Sequence, residues 1–159
     1  MNKKTIAHSC TVISQLMLPS HANPAGNVHG GEIMKIMDTS AGVVAKKHSR
    51  ANTVTARVDE LIFHQPIFVG ELLTCKAQLV YVGKSSMEVA VTVEVENMYK
   101  EVPPRKALSA FFTMVALDVN GTPTAVPGLL FETPDEEAAF EEGRKRYQIN
   151  KAKQRHSQV

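Results

Sequence analysis

Residues 23–45 read NPAGNVHGGEIMKIMDTSAGVVA, a loop of small and turn-forming residues that opens directly into a largely apolar segment. Wound at helical pitch, Ile33, Met34, Met37, Ala41, Val44 and Ala45 share one broad face, while Glu32, Lys35, Thr39 and Lys46 gather on the other. The pattern predicts a helix of about five turns that starts after Gly31, runs to about His48 and is ended by Ser49, Arg50, Ala51 and Asn52. Asp38 falls on the flank of the apolar face. Its neighbours on the helical surface are Met34, Ala41, Gly42, Ala45 and, two turns back, Gly31. These side chains are mostly small, so a partly buried carboxylate has space beside it. That is the arrangement of a catalytic acid, or of a structural one bonded to a nearby loop.

Outward from this stretch the period changes. Residues 11–17 form a short strand-like run closed by Leu18 and Pro19. From Asn52 onward the apolar period is 2, and Pro66 and Gly70 bracket the first break. Residues 71–82 alternate, with Leu73, Cys75, Ala77, Leu79 and Tyr81 on one face and Thr74, Lys76 and Gln78 on the other. Gly83, Lys84 and Ser85 make a tight turn into residues 86–99, where Met87, Val89, Val91, Val93 and Val95 oppose Glu88, Thr92, Glu94 and Glu96. Residues 107–119 are apolar on both faces and read as a central strand. Thr133-Pro134-Asp135-Glu136 is a capped helix start, and the helix that follows is acidic first and basic last, as its dipole favours. Gly143 is the weak point of that helix. One long buried helix followed by long antiparallel strands is the order of an α+β domain in which a curved sheet wraps one helix. A single domain is expected over residues 1–159, with its core at about 9–130 and a C-terminal helix and basic tail at 133–155. The open sheet edges favour pairing with a second subunit.

Composition narrows the function. A chain that is 43% hydrophobic and 21% charged is that of a soluble globular protein, and no apolar run is long enough for a membrane span. The start, MNKKTIAHSCTVISQ, is too often interrupted by polar residues for a secretory signal, and Cys10 and Cys75 read as reduced thiols. A cytoplasmic location is expected. A net charge of +2 points to no polyanionic partner, so neither nucleic acid nor membrane is expected to bind. His8, His21, His29, His48 and His64 show no metal-binding spacing, and the Gly-Gly pair lacks the Lys-Ser/Thr of a phosphate loop. No metal or other cofactor is expected.

The segments LPSHANPAGNVHGGEIMKIMD (18–38), VTARVDELIFHQPIFVGELL (54–73), VGKSSMEVAV (82–91) and SAFFTMVAL (109–117), and more loosely the tail FEEGRKRYQINKAK, carry a resemblance. The sequence resembles the hotdog-fold acyl-CoA thioesterases, in the YciA-like and brain-type acyl-CoA hydrolase group. NxxGNxHGG followed seven residues later by Asp is the specific part of the match. The resemblance implies a hotdog fold and hydrolysis of medium- to long-chain acyl-CoA to free fatty acid and coenzyme A. It implies that Asn23, rather than Asn27, and Asp38 come from opposite subunits of a dimer and form the site together. Asp38 would be general base or nucleophile, and Asn23 would orient water or the substrate carbonyl. The helix start at Gly30 and Gly31 offers backbone N–H groups as an oxyanion hole. The turn Gly83-Lys84-Ser85-Ser86 would lie near the nucleotide of coenzyme A. A homo-oligomer is implied, at least a dimer and commonly a trimer of dimers. A hotdog enoyl-thioester hydratase or a non-catalytic acyl-CoA-binding protein is the alternative.

Overall fold

The computed structural model describes residues 1–157. Its elements are β1 (Lys4–Thr5), β2 (Thr11–Leu16), a 3-10 turn (Pro19–His21), α1 (Gly30–Ser49), β3 (Asn52–Phe63), β4 (Leu72–Val82), β5 (Ser86–Glu96), β6 (Arg105–Leu117), β7 (Leu129–Leu130) and α2 (Pro134–Ser157). Five strands form an antiparallel sheet in the order β2-β4-β5-β6-β3, while β1 and β7 make a small parallel pair.

The concave face of the sheet takes α1. Met37, Ala41, Val44 and Ala45 on the helix are fully buried, as are Leu73, Cys75, Leu79, Val89, Val91, Val93 and Phe112 on the strands. The alternation in β5 therefore divides the faces as its residues imply, with valines inward and Glu88, Thr92 and Glu94 outward. Position in the sheet differs slightly from expectation: β5 is the middle strand and β6 lies beside it, one strand in from the edge strand β3. The helix begins two residues earlier than its periodicity predicts, at Gly30 rather than after Gly31. At its far end Arg50 takes the left-handed conformation (φ 55°), and its N–H bonds to the Lys46 carbonyl.

On β4 the predicted face is right through Leu79 and fails at Tyr81. A register shift between Leu79 and Tyr81 buries Val80 and turns Tyr81 to the outer face of the sheet. There Tyr81 packs on α2, its ring centroid 4.9 Å from that of Phe140 and 5.3 Å from that of Tyr147. Gly143, which looks like a defect in the helix, is its one buried residue among those described. A Cβ at Gly143 would sit 2.6 Å from Tyr81 Cβ and 3.3 Å from Glu88 Oε1, so glycine is what lets α2 reach the sheet. One turn on, Arg146 donates to Glu88 Oε1 from Nε (2.9 Å) and Nη2 (2.7 Å) and lies over the Phe111 ring at 3.8 Å. Burial pushes the Glu88 carboxyl up, and the bonds from Arg146 oppose that rise. Gly143→Ala is therefore expected to lower stability by about 1–3 kcal/mol through overpacking, against the gain of up to ~1 kcal/mol that helix propensity alone predicts. Denaturant unfolding reads the sign directly.

Behind α1 the chain closes through His48. Its imidazole is wholly buried, and Nε2 lies 2.7 Å from the Pro127 carbonyl, which as an acceptor requires the proton on Nε2. Nδ1 has no partner among the described residues, while Lys4 Nζ donates to the His48 carbonyl at 2.6 Å. Burial holds the imidazole pKa below its ordinary value of about 6.5, with the nearby Lys4 and His8 acting in the same direction. The unfolded chain thus takes up this proton first. Stability is expected to be flat in this respect above that value and to fall as pH drops below it. His48→Gln should flatten that acid limb in denaturant titrations run at a series of pH values.

Candidate active site

The loop before α1 is tied down by its own backbone. Asn23 N–H donates to the Asn27 carbonyl (2.7 Å), and its Oδ1 accepts from Ala25 N–H (3.0 Å). Gly26, at φ 93°, closes the turn in a conformation that favours glycine. Val28 N–H bonds to the Ile67 carbonyl (2.8 Å), and Asn27 bridges to Phe68, so the loop leans on residues 64–71. Those are held in turn by the bidentate pair of Arg105 and Glu71, whose Oε1 also accepts from Phe68 N–H (2.8 Å). That bonding pulls the Glu71 carboxyl below its usual range. Asn23 ends half-buried, with no acceptor for its Nδ2 among the described residues.

Asp38 is exposed in the single chain, which corrects the expectation of a partly buried acid. It lies on the flank of α1 beside β3, an edge strand, and no further strand of its own sheet extends over it. One interaction fixes it: Thr55 Oγ1, on β3, donates to Asp38 Oδ1 at 2.5 Å. Thr55 Oγ1 also lies 3.5 Å from Met114 Sδ, opposite it in the ladder. The space beside the acid is real, since a Cβ built on Gly42 meets nothing within 4 Å. Thr55 is the residue that sequence reasoning passed over. A threonine in a strand is ordinary, and only the packing of β3 against α1 sets this one on Asp38. No hydrogen bond joins Asn23 to Asp38 within the chain among the described residues.

The two helix-start glycines differ. Gly31 N–H donates to His29 Nδ1 at 2.8 Å, so this amide is occupied in the chain. Gly30 N–H has no acceptor among the described residues. At the turn Gly83-Lys84-Ser85-Ser86 the backbone is largely spent internally: Gly83 N–H on Ser86 O, Lys84 O on Val126 N–H, and Ser85 O on Ala116 N–H. Lys84 is exposed, and Ser86 lines a cleft of about 370 Å³ with Arg57, Tyr147 and Lys151. None of Asn23, Gly30, Gly31 and Asp38 lines that cleft, so one chain does not bring the turn and the acid together. Among the described residues no three His, Cys, Asp or Glu side chains converge as a metal would require. No helix among them is long and apolar enough to cross a membrane.

The thioesterase superfamily model matches residues 25–102. The rat cytosolic acyl coenzyme A thioester hydrolase is 41% identical over 150 residues, 94% of this chain and 39% of the rat protein. The chain thus spans about two fifths of that relative's length. An uncharacterized acyl-CoA thioester hydrolase of Bacillus subtilis, YkhA, is 34% identical over 95% of this chain and 87% of its own. Among solved structures, an acyl-CoA hydrolase of Staphylococcus aureus in complex with butyryl coenzyme A and coenzyme A superposes with a TM-score of 0.89 at 31% identity, covering 98% of this chain and 94% of that one. Three further structures of that hydrolase carry an asparagine, an aspartate and a threonine each replaced by alanine. Along that chain those positions are separated by 15 and then 17 residues, and Asn23, Asp38 and Thr55 are separated by the same intervals. With its central helix, five-stranded sheet and C-terminal helix in the same arrangement, the chain belongs to the thioesterase superfamily and has its hotdog fold.

Proposed function

We propose that this protein is an acyl-CoA thioesterase that releases free fatty acid and coenzyme A, acts on medium- to long-chain acyl groups, and works in the cytoplasm. The observation that carries the reading is the bond from Thr55 Oγ1 to Asp38, made by residues whose spacing repeats that of the three substituted positions in the Staphylococcus aureus hydrolase. Thr55 engages Oδ1 and leaves Oδ2 without a partner among the described residues, in open space beside Gly42. From there Asp38 takes a proton from water as the water's oxygen bonds to the thioester carbon. The C–S bond then breaks, and the coenzyme A sulfur leaves with a proton. Direct attack by Asp38 to give an anhydride, later hydrolysed, uses the same placement.

Asn23 contributes from a second copy, its free Nδ2 turned to the water or the carbonyl. The long edge strand β3, with Val54, Ile62 and Phe63 from 44% to 57% exposed, is the surface through which that copy joins. An acyl-CoA thioesterase of 0.90 TM-score to this chain is a hexamer, and a trimer of dimers is the assembly proposed here. Met34 and the small residues beside it accept the acyl chain. Lys84 and Ser86 face the phosphates of coenzyme A.

Thiol release from a chain-length panel running from butyryl- to palmitoyl-CoA, without added metal, is expected from the wild-type chain. Asp38→Asn and Asn23→Ala should each lower kcat by about 10² or more, and Thr55→Ala by a smaller factor of ~10 through loss of one bond to a charged group. Co-expressed in equal amounts, the two inactive variants should regain about a quarter of wild-type activity, because half the dimers then contain one intact site. No thiol release from any acyl-CoA, or full activity in Asp38→Asn, would sink the proposal.

A further inference from the structure

We propose that Asp59 is a positioning residue for the reaction: on the outer face of the sheet it pins the bulge in β3 that aims Thr55 at Asp38, and it ties that bulge to the C-terminal helix α2. The inference rests on the thioesterase reading above and goes beyond it, because Asp59 makes no bond to the acid and acts through Thr55 alone. Alternate residues of a strand share a face, so in a regular β3 the side chains of Thr55 and Arg57 would point the same way. They do not. Thr55 pairs with Met114 and Arg57 with the adjacent Thr113, which makes Ala56 the extra residue of a bulge. Thr55 thereby faces Asp38 and Met114 Sδ on the helix side, while Arg57 lies on the outer side and lines the cleft beside α2. Without the bulge, one of the two placements is lost.

This part of β3 has little else to hold it. A second irregularity falls between Asp59 and Ile62, where Glu60 takes a left-handed φ of 51°, a conformation that persists only where its surroundings enforce it. Between the two irregularities Arg57, Val58 and Asp59 pair with β6, and no strand among the described residues pairs with the other edge of β3. Asp59 supplies the restraint that the ladder lacks. Its Oδ1 accepts from Arg57 Nε at 2.7 Å, and its Oδ2 accepts from Asn150 Nδ2 on α2 at 3.1 Å. One oxygen thus fixes the residue after the bulge and the other fixes both to the helix. The Asp59 side chain is 19% exposed, so these charge-assisted bonds are largely sheltered from water. A small displacement of Thr55 would misplace the Asp38 carboxylate, which costs rate rather than substrate affinity.

A mutant cycle read in kcat, at temperatures well below melting, tests the relay. Asp59→Ala is expected to lower kcat by a factor approaching the ~10 of Thr55→Ala, with KM little changed. In a Thr55→Ala background the same substitution should lower kcat by less than about twofold, since the group it aims is already gone. Asp59→Asn keeps an oxygen for Arg57 and should retain most of the wild-type rate. Asn150→Ala removes the bond from α2 alone; its smaller loss of kcat should also vanish in the Thr55→Ala background, and it serves as the test if Asp59→Ala does not fold. Losses that multiply in the double variants make Asp59 a general structural support and overturn the positioning role. Wild-type kcat in Thr55→Ala, or in a folded Asp59→Ala or Asn150→Ala whose melting temperature has dropped, overturns it as well. Failure of the wild-type chain to hydrolyse any acyl-CoA is a different result, which removes the thioesterase reading itself.

Discussion

The burial of α1 in the concave face of the sheet is the constraint on which the other features hang. Met37, Ala41, Val44 and Ala45 are at zero exposure, and the small residues among them let the helix lie close to the valines of β5. A helix that deep has a fixed rotation, since turning it by one residue would bury Lys35 or Thr39 and expose a methionine. The rotation in turn decides which flank faces β3. Asp38 is on that flank, and Thr55 meets it there.

Two anchors support this geometry from outside it. The Arg105–Glu71 pair fixes residues 64–71, which carry the Asn23–His29 loop by backbone hydrogen bonds. On the outer face, Gly143 and the Arg146–Glu88 pair hold α2 against Tyr81 and Phe111. Both pairs are ionic and set a buried carboxylate against a partly exposed arginine, so losing the arginine strands a buried charge and costs more than losing one from an exposed pair. Placing them at a loop and a helix dock, away from the carboxylate, leaves Asp38 with one neutral hydroxyl donor and free space.

The two glycines at the start of α1 illustrate how a motif can leave detail unresolved. Gly30 and Gly31 look alike in the sequence, and both carry amides that a helix dipole polarises. Hydrogen bonding separates them, because the preceding histidine can reach one amide and not the other. A similar refinement holds at Gly143. Propensity ranks it as a flaw, yet the close approach of α2 to Tyr81 makes it necessary.

What the sequence determined by itself was everything that depends on local pattern: the long helix from about Gly31 to His48, the strands with their alternating faces, the capped second helix, and the motif around Asn23 and Asp38 that marks the family. Periodicity and turn chemistry act between neighbours a few residues apart, so they are legible in one dimension. Tertiary structure alone decided the exposure of Asp38, its bond to Thr55, the bulge that turns Tyr81 outward and the loss of Gly31 N–H to His29. The first three arise where one element meets another, and the last depends on a side-chain rotamer. The exposure of the carboxylate has the clearest reason: the apolar periodicity of α1 says which side is covered, but the edge of the sheet sets how far that cover extends.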